Sequence, residues 1–323
     1  MSFYSLFTII LSFLFCNCNR VNSVNEKAKQ PLEETNMKAS KKNLYKDVDA
    51  LTQIEPPRNV ENINSLNLAA DYIFGEFKKA GFETEEQKWK ADGTEYKNII
   101  ASYNKDKEER LIIGAHYDVC GDQPGADDNA SAVAGLLETA RLIAANRPDI
   151  DYRIDFVAYN LEEPPYFASN EMGSYIHAKS LKDEGINVLG MLCYEMIGYF
   201  SDEPGSQNFP SPGMEKIYPN TGNFIIVVGL EKQSDFSKKV FGLMKDKADV
   251  DVQLINFPAQ VGLAGLSDHR NYWAFGFPAV MINDTSFLRN PNYHKSSDTI
   301  NTLNFEKMAA VVDATYNAAV KMR

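Results

Sequence analysis

The chain has 323 residues, with 33 lysines and arginines against 44 aspartates and glutamates, so its formal net charge is −11. This acidic balance argues against a nucleic-acid-binding protein, because neutralising phosphates requires a surplus of clustered basic side chains. Hydrophobic residues make up 44% of the chain, which excludes a largely disordered protein, and the length suits one large α/β domain or two average ones. Four histidines occur, and polar clusters around them are candidate sites of chemistry: His116, His177, His269 and His294.

The amino-terminal segment predicts export. Residues 3–15 form an uncharged apolar run of signal-peptide length, too short to span a bilayer, so residues 1–18 are predicted to be a signal peptide or a lipoprotein signal. The residues ending at Cys16 resemble a lipoprotein box, and lipidation there would tether the protein to a membrane at the cell envelope. The alternative is an ordinary signal peptide that is cleaved a few residues after Cys16, which would release the protein into the periplasm or the extracellular medium. Residues 19–42 are rich in Asn, Lys and Glu and are predicted to be a flexible tether.

From residue 43 onward, strand-like and helix-like segments alternate without a repeat, which predicts a single domain over residues 43–323. Strands are predicted at residues 98–103, 110–115, 152–158, 187–191, 223–228 and 279–282. Helices are predicted at residues 66–80, 129–145, 172–182, 234–245 and 305–322. Because several strands are apolar at every position, the pattern favours a three-layer α/β/α sandwich around a mixed, mostly parallel sheet. Cys120 and Cys193 are predicted to be free thiols.

The first candidate site residues follow the strand at residues 110–115. His116 precedes Asp118 by two residues, a spacing in which the carboxylate can orient a metal-binding imidazole. A structural histidine explains this pattern equally well. Asp127 and Asp128 precede an apolar helix, where the helix dipole stabilises acidic side chains in any case. The functional alternative is that one of these two carboxylates bridges two cations.

Further acidic residues follow apolar strands. Glu162 and Glu163 close a buried strand, and two prolines after them prevent helix formation. Since neighbouring side chains on extended backbone point in opposite directions, one glutamate can bind metal while the other faces a bound water. Glu195 interrupts another apolar run, and a buried carboxylate has to be paired, hydrogen-bonded or metal-bound. Asp268 and His294 lie in two later polar blocks, where ligation and a structural role are both open.

Taken in order, the segments AHYD, PGADDNAS, EEP, YEMIG, SDH and NPNYHKSSDT resemble the M28 family of zinc metallopeptidases, which includes bacterial leucyl aminopeptidases. The resemblance extends over residues 98–304 and implies the zinc-peptidase fold with two co-catalytic zinc ions. It implies that Asp128 bridges both ions, with His116 and Glu195 on the first and Glu163 and His294 on the second. It also implies that Glu162 is the general base and that Asp118 and Asp268 orient ligands.

The donor chemistry agrees with this implied site. Three carboxylates bring a charge of −3 against +4 from two zinc ions, and histidine and carboxylate ligands suit zinc. The family more often has aspartate in place of Glu195, and the loop after Glu163 is longer than in many relatives. Tyr166 and Phe167 in that loop are predicted to line the substrate entrance. Residues 262–265 contain no tyrosine that could donate to an oxyanion.

The resemblance therefore favours a zinc aminopeptidase that hydrolyses N-terminal residues from peptides, through a metal-bridging water activated by Glu162. Its predicted partners are peptides with a free amino terminus, and nucleic acid is excluded. Two alternatives stay open. One is a glutaminyl cyclase-like acyltransferase of the related fold, and the other is a catalytically silent binding protein.

Overall fold

The computed structural model describes residues 37–260 and 262–323. The predicted signal sequence with Cys16, and the predicted tether up to residue 36, lie outside the described residues. Residues 37–323 form one compact unit that begins before residue 43. Ser40 caps a helix that starts at Lys41, and its backbone N–H donates to the Glu138 carboxylate at 2.7 Å. The last residues of the predicted tether therefore belong to the folded body.

The described residues contain seven α-helices and eight strands. The helices are α1 (Lys41–Thr52), α2 (Ile63–Lys79), α3 (Ala132–Asn146), α4 (Gly173–Asp183), α5 (Ser234–Lys245), α6 (His269–Ala274) and α7 (Phe305–Val320). The strands are β1 (Glu83–Ala91), β2 (Thr94–Tyr103), β3 (Arg110–His116), β4 (Arg153–Tyr159), β5 (Val188–Glu195), β6 (Phe224–Leu230), β7 (Asp251–Phe257) and β8 (Ala279–Asn283). Across the described part of the chain, no helix is both long and apolar enough to cross a membrane.

The eight strands form one mixed sheet in the order β1-β2-β4-β3-β5-β8-β6-β7. The pairs β3/β4, β3/β5, β5/β8 and β6/β7 are parallel, whereas β1/β2, β2/β4 and β6/β8 are antiparallel. The predicted α/β/α sandwich with a mixed, mostly parallel sheet is thereby confirmed.

Two apolar cores lie on the two faces of this sheet. Strand β3 shows why its sequence is continuously apolar: Leu111 and Ile113 pack into one core, while Ile112 packs into the other. The larger core is covered by α1, α2, α3, α5 and α7, and the smaller one by α4 and α6. A strand covered on both sides needs apolar residues at every position, in place of the alternation of a half-exposed strand.

The central strands bring their carboxyl ends to one edge of the sheet. Strands β4, β3, β5 and β8 are adjacent and parallel, so the loops that follow them leave on the same side. His116 ends β3 and Glu195 ends β5, while Glu162 and Glu163 follow β4 by a few residues. This edge is where open α/β sheets usually form polar sites.

Candidate metal centre

His116 lies at the centre of the polar cluster and is buried. Burial alone lowers the pKa of His116, but the negative charges of Glu195 and Glu162 raise it well above its ordinary value. The ring Nδ1 lies 3.4 Å from Asp118 Oδ1. Asp118 also accepts hydrogen bonds from the backbone N–H groups of Glu162, at 3.2 Å, and Glu163, at 3.0 Å. The structure thus places Asp118 where it orients the imidazole and fixes the loop that carries both glutamates.

Asp128 stands between two histidines. Its Oδ1 lies 3.6 Å from His116 Nε2, and its Oδ2 lies 3.1 Å from His294 Nε2. Each carboxylate oxygen therefore faces a different imidazole, which is the arrangement that a bridging ligand requires.

The backbone around Asp128 is held from a distant segment. Helix α3 does not begin at residue 129 as predicted, because residues 126–131 form an irregular turn in which Asp128 has φ −104° and ψ 87°. The Asp298 carboxylate accepts the N–H groups of Asp127, at 2.9 Å, and Asp128, at 3.0 Å. Asp127 itself points away and accepts from Asn290 Nδ2 at 2.7 Å. Of the two adjacent acids, Asp128 alone faces the histidines.

His116 and His294 each lie beside a second carboxylate in addition to that of Asp128. Glu195 Oε2 lies 3.3 Å from His116 Nε2 and accepts a hydrogen bond of 2.6 Å from Ser267 Oγ. Glu163 Oε2 lies 3.6 Å from His294 Nε2. The five predicted ligands thus form two groups, one around each histidine, that share Asp128.

Glu162 lies beside the first of these groups, with Oε2 3.8 Å from His116 Nε2. Burial raises the pKa values of Glu162, Glu163 and Glu195 above the ordinary carboxyl value. The Oε1 atoms of Glu162 and Glu163 are buried and have no hydrogen-bond partner among the described residues.

The site fits divalent cations. Unpartnered carboxylate oxygens in a buried, acidic cluster need a positive charge, since desolvating them is costly. Ligand atoms of His116, Asp128 and Glu163 lie within 4.8 Å of one another. Carboxylate and imidazole donors at this spacing are those that zinc prefers.

Asp268 was predicted to orient a metal ligand. It is buried just before α6, and burial raises the pKa of its carboxyl to about 7. No hydrogen bond of the described residues joins it to a predicted ligand, so its orienting role stays a prediction.

The remaining two histidines are structural. His269 Nε2 is 2.6 Å from the Ala264 carbonyl oxygen, and His177 Nδ1 is 2.6 Å from the Tyr272 hydroxyl. Burial lowers the pKa values of both to about 4, which keeps both rings neutral.

Sequence reasoning missed three residues at the site. Arg58 is buried next to the segments that lead to Asp118 and Asp128. Its guanidinium donates to four backbone carbonyl oxygens, those of Leu51, Tyr117, Pro124 and Gly125. Asp298 shapes the turn at Asp128 and lies in a polar block of the sequence, but nothing in that block indicates this contact. Cys120 has its thiol within 4.8 Å of ligand atoms of Glu163 and His294.

An apolar pocket of about 700 Å³, including its opening to solvent, adjoins Glu195. Its walls come from β6, β7, β8 and neighbouring loops, with Ile226, Val228, Phe257 and Met281 among the lining residues.

Neither aromatic residue that was predicted to line the entrance lies in this pocket. Tyr166 donates to Asp92 Oδ2 at 2.8 Å, and the Phe167 ring lies 4.8 Å from the Arg270 guanidinium. The long loop after Glu163 is thus packed against the body of the protein through its aromatic side chains.

Comparison with known proteins gives consistent matches. The model described as peptidase family M28 matches residues 98–319. The uncharacterized protein YfbL of Escherichia coli strain K12 is 44% identical over 290 residues, which cover 87% of this chain and 88% of that protein. A probable leucine aminopeptidase of Trichophyton verrucosum is 27% identical over 288 residues, which cover 83% of this chain and 69% of that protein.

Solved structures share the fold. The LapA aminopeptidase of Legionella pneumophila matches with a TM-score of 0.70 at 22% identity, over 87% of this chain and 71% of that chain. A glutaminyl cyclase of Bacteroides thetaiotaomicron matches with a TM-score of 0.65 at 19% identity, over 88% and 99%. A Zn-dependent exopeptidase of Parabacteroides distasonis matches with a TM-score of 0.65 at 18% identity, over 88% and 99%.

Proposed function

The chain belongs to peptidase family M28, a family of hydrolases, and from this premise we propose that it is a zinc-dependent aminopeptidase that releases N-terminal residues from peptides. The observation that carries the proposal is the position of Asp128, whose two oxygens face His116 and His294 separately. Two metal positions that share one carboxylate suit a two-metal hydrolase.

Two groups of residues would hold the ions. His116, Asp128 and Glu195 would bind the first, and His294, Asp128 and Glu163 the second. When bound, the ions polarise the scissile carbonyl and acidify the attacking water. The buried carboxylates supply most of the compensating negative charge, which explains why acidic residues are concentrated at this edge of the sheet.

Glu162 is the proposed general base. It is buried beside the first metal position, with Oε2 3.8 Å from His116 Nε2, where a carboxylate can take a proton from the attacking water and return it to the leaving amine. Its Oε1 has no hydrogen-bond partner among the described residues, so this atom is free to accept the proton of the attacking water and pass it to the leaving amine. Asp118 holds the Glu162 backbone in place.

The substrate's amino terminus and first side chain have separate sites. An α-ammonium group suits the carboxylate-rich centre, while the apolar pocket beside Glu195 suits a large apolar side chain. Burying the additional carbon atoms of leucine relative to alanine contributes about 2 kcal/mol, or about 30-fold in kcat/KM. We therefore propose a preference for peptides that begin with leucine or a similarly large apolar residue.

Peptide hydrolysis measured on matched substrates tests the proposal. A leucine-initiated peptide should be hydrolysed about 30-fold faster than its alanine-initiated counterpart, with free leucine as product. N-acetylation should lower kcat/KM by about 100-fold or more, because the acetyl group removes the charge that the carboxylates bind. Equal hydrolysis of the acetylated peptide would exclude an aminopeptidase.

A glutaminyl cyclase-like activity is the second candidate, favoured by the fold shared with the Bacteroides enzyme. A glutamine-initiated peptide distinguishes the two functions. An aminopeptidase releases free glutamine, whereas a cyclase releases ammonia and leaves the peptide chain intact with a cyclised terminus. A catalytically silent binding protein would do neither, and the presence of all five predicted ligands in one cluster speaks against it.

We also propose export to the cell envelope, on the amino-terminal sequence alone. Fatty-acid labelling of the full chain should occur at Cys16 and be lost in Cys16→Ser if the signal is of the lipoprotein type. A mature protein that begins after residue 18 without a lipid would show ordinary signal-peptide cleavage.

A further inference from the structure

Cys120 lies in the loop that follows β3, four residues after His116, and its side chain is partly exposed. Its Sγ, a carboxylate oxygen of Glu163 and a ring nitrogen of His294 all lie within 4.8 Å of one another. Three potential ligand atoms of different chemistry therefore converge on the His294 side of the site.

From this convergence we propose that Cys120 is a further ligand of the metal ion held by Glu163 and His294, so that the second site combines imidazole, carboxylate and thiolate donors. This inference rests on the proposed function, since it assumes that the centre binds metal. Glu163 supplies an independent observation: it is buried, and its Oε1 has no hydrogen-bond partner among the described residues. An unpaired carboxylate oxygen next to a thiol and an imidazole points to a missing cation.

The loop backbone holds Cys120 in this position. The residue before it, Val119, donates its N–H to the Arg58 carbonyl oxygen at 3.1 Å. The residue after it, Gly121, accepts a 2.7 Å hydrogen bond from Asn59 Nδ2. With both neighbours fixed, the thiol reaches the site without rearrangement of the loop.

The distances allow coordination. Ligand atoms around a tetrahedral zinc ion lie about 3.3–3.8 Å apart, given bond lengths of about 2.0–2.3 Å. Because the three ligand atoms lie within 4.8 Å of one another, reaching this spacing requires shifts of at most about 1.5 Å, which side-chain rotation can supply. On binding, the thiol proton passes to solvent and the sulfur donates an electron pair to the metal, as in other cysteine sites.

A thiolate ligand would make the two metal positions unequal. With Cys120, the second position would have four protein donors, whereas the first would have three, from His116, Asp128 and Glu195. Soft sulfur also favours zinc, cobalt and cadmium over manganese and magnesium at the second position.

Cobalt substitution of the full-length protein tests the proposal. Chelator-treated protein loaded with two equivalents of Co²⁺ should show a sulfur-to-cobalt charge-transfer band in the near ultraviolet, beside the visible bands of the metal itself. Cys120→Ser should lose the near-ultraviolet band and keep the visible bands. Cys193→Ser is the control and should keep both, because Cys193 belongs to no group of potential metal ligands among the described residues.

A second measurement uses the unmodified chain. Alkylation of Cys120 by iodoacetamide, followed at its own peptide by mass spectrometry, should slow at least about 10-fold when two equivalents of Zn²⁺ are added. Cys120→Ser should bind one of its two zinc ions at least about 10-fold more weakly.

The outcomes separate the two proposals. Two bound Co²⁺ ions without a sulfur band, or a band that persists in Cys120→Ser, would overturn the thiolate ligand and leave the proposed function intact. Alkylation of Cys120 at the same rate with and without zinc would also overturn the thiolate ligand. Failure of the protein to bind Co²⁺ or Zn²⁺ at all would overturn both proposals.

Discussion

Asp118 connects three parts of the site at the scale of a single residue. Its carboxylate faces the His116 ring and accepts the backbone N–H groups of Glu162 and Glu163. Hydrogen bonds to an ionised acceptor are stronger than those between neutral groups, so this one carboxylate fixes both an imidazole and the segment that carries the proposed base. The geometry of the site therefore depends on a residue that is not itself one of the proposed metal ligands.

The proposed role of Glu162 gives the first prediction. In Glu162→Gln the side chain keeps its shape but cannot accept the proton of the attacking water, so kcat should fall by about 100- to 10,000-fold. Zinc content should stay near two ions per chain, since Glu162 is not a proposed ligand. Glu184→Gln, at an exposed position outside the site, is the matched control and should retain full activity. A fully active Glu162→Gln would contradict the assignment.

The second prediction concerns His269 and acid stability. Because burial lowers the pKa of His269 to about 4, below its ordinary value of 6.5, the unfolded chain binds a proton between these pH values that the folded chain does not. The contribution to stability is present above pH 6.5 and is lost as the pH falls toward 4. Glutamine does not bind this proton, so His269→Gln lacks the loss. The difference in free energy of unfolding between the variant and the unchanged chain should therefore shift by about 3 kcal/mol in favour of the variant as the pH falls from 7 to 4.

Urea denaturation of metal-free protein at several pH values measures this difference and avoids changes in zinc occupancy. Parallel pH profiles for the unchanged chain and His269→Gln would show that this ring does not titrate differently in the folded protein.

Strands that are buried on both faces could be predicted from the sequence, whereas the strands at the two edges of the sheet could not. The central strands β3, β4 and β5 were predicted within a few residues because apolar residues predominate on both of their faces. The edge strands β1 and β7 were missed, since their exposed sides carry polar residues that resemble a loop. Helix α6 has six residues, which is too short for a helical period to show, and α1 begins within a polar stretch.

The candidate site residues were assigned through the family resemblance and not from their local segments. Metal ligands are restricted to a few residue types, so His116 and the Glu162–Glu163 pair could be marked as candidates. The local pattern left a structural histidine equally open and did not say which glutamate binds metal. The contact of Asp298 with the turn at Asp128 joins segments 170 residues apart, and no local pattern indicates it. The position of Cys120 beside the site depends in the same way on how two loops meet in space.

Arg141 joins three helices on the larger face of the sheet. From α3 its guanidinium contacts Asp47 of α1 at 2.6 Å, Glu76 of α2 at 2.8 Å and Glu138 of α3 at 3.1 Å. The three carboxylate side chains are each at most 5% exposed. Glu76 also pairs with Lys46 and Lys79, whereas Asp47 and Glu138 have no other ion-pair partner than Arg141 among the described residues.

The third prediction follows from this network. Arg141→Met removes the cation and leaves the carboxylates of Asp47 and Glu138 buried without it, so the free energy of unfolding should fall by about 3–5 kcal/mol. Lys179→Met, which removes an exposed ion pair with Asp183, is the control and should change stability by less than about 1 kcal/mol. Urea denaturation of both variants measures the difference. Equal stabilities of the two variants would show that the network contributes little.

The whole molecule places a negative site at the edge of an apolar sheet. Four adjacent parallel strands or the loops after them deliver the acidic residues, and helices cover the central strands on either side. Arg58 is the buried cation behind this site, and burial lowers its pKa to about 10. A single guanidinium does not balance three ligand carboxylates and a glutamate base, and the proposed cations would supply the remaining positive charge.

The fourth prediction is that metal binding stabilises the whole fold. Zinc that binds the folded chain at about 1,000 times its dissociation constant adds about 4 kcal/mol per site, so chelation should lower the Tm by at least about 8 °C. Thermal denaturation with and without chelator, followed by re-addition of zinc, measures the change. An unchanged Tm would mean that the carboxylate cluster is stable without a cation.

A zinc titration of chelator-treated protein tests the central claim most directly, with leucine release from a leucine-initiated peptide as the readout. Aminopeptidase activity should be absent without metal and should rise to a plateau at two zinc ions per chain. Full activity in the metal-free protein, or zinc binding that never produces leucine release, would contradict the account.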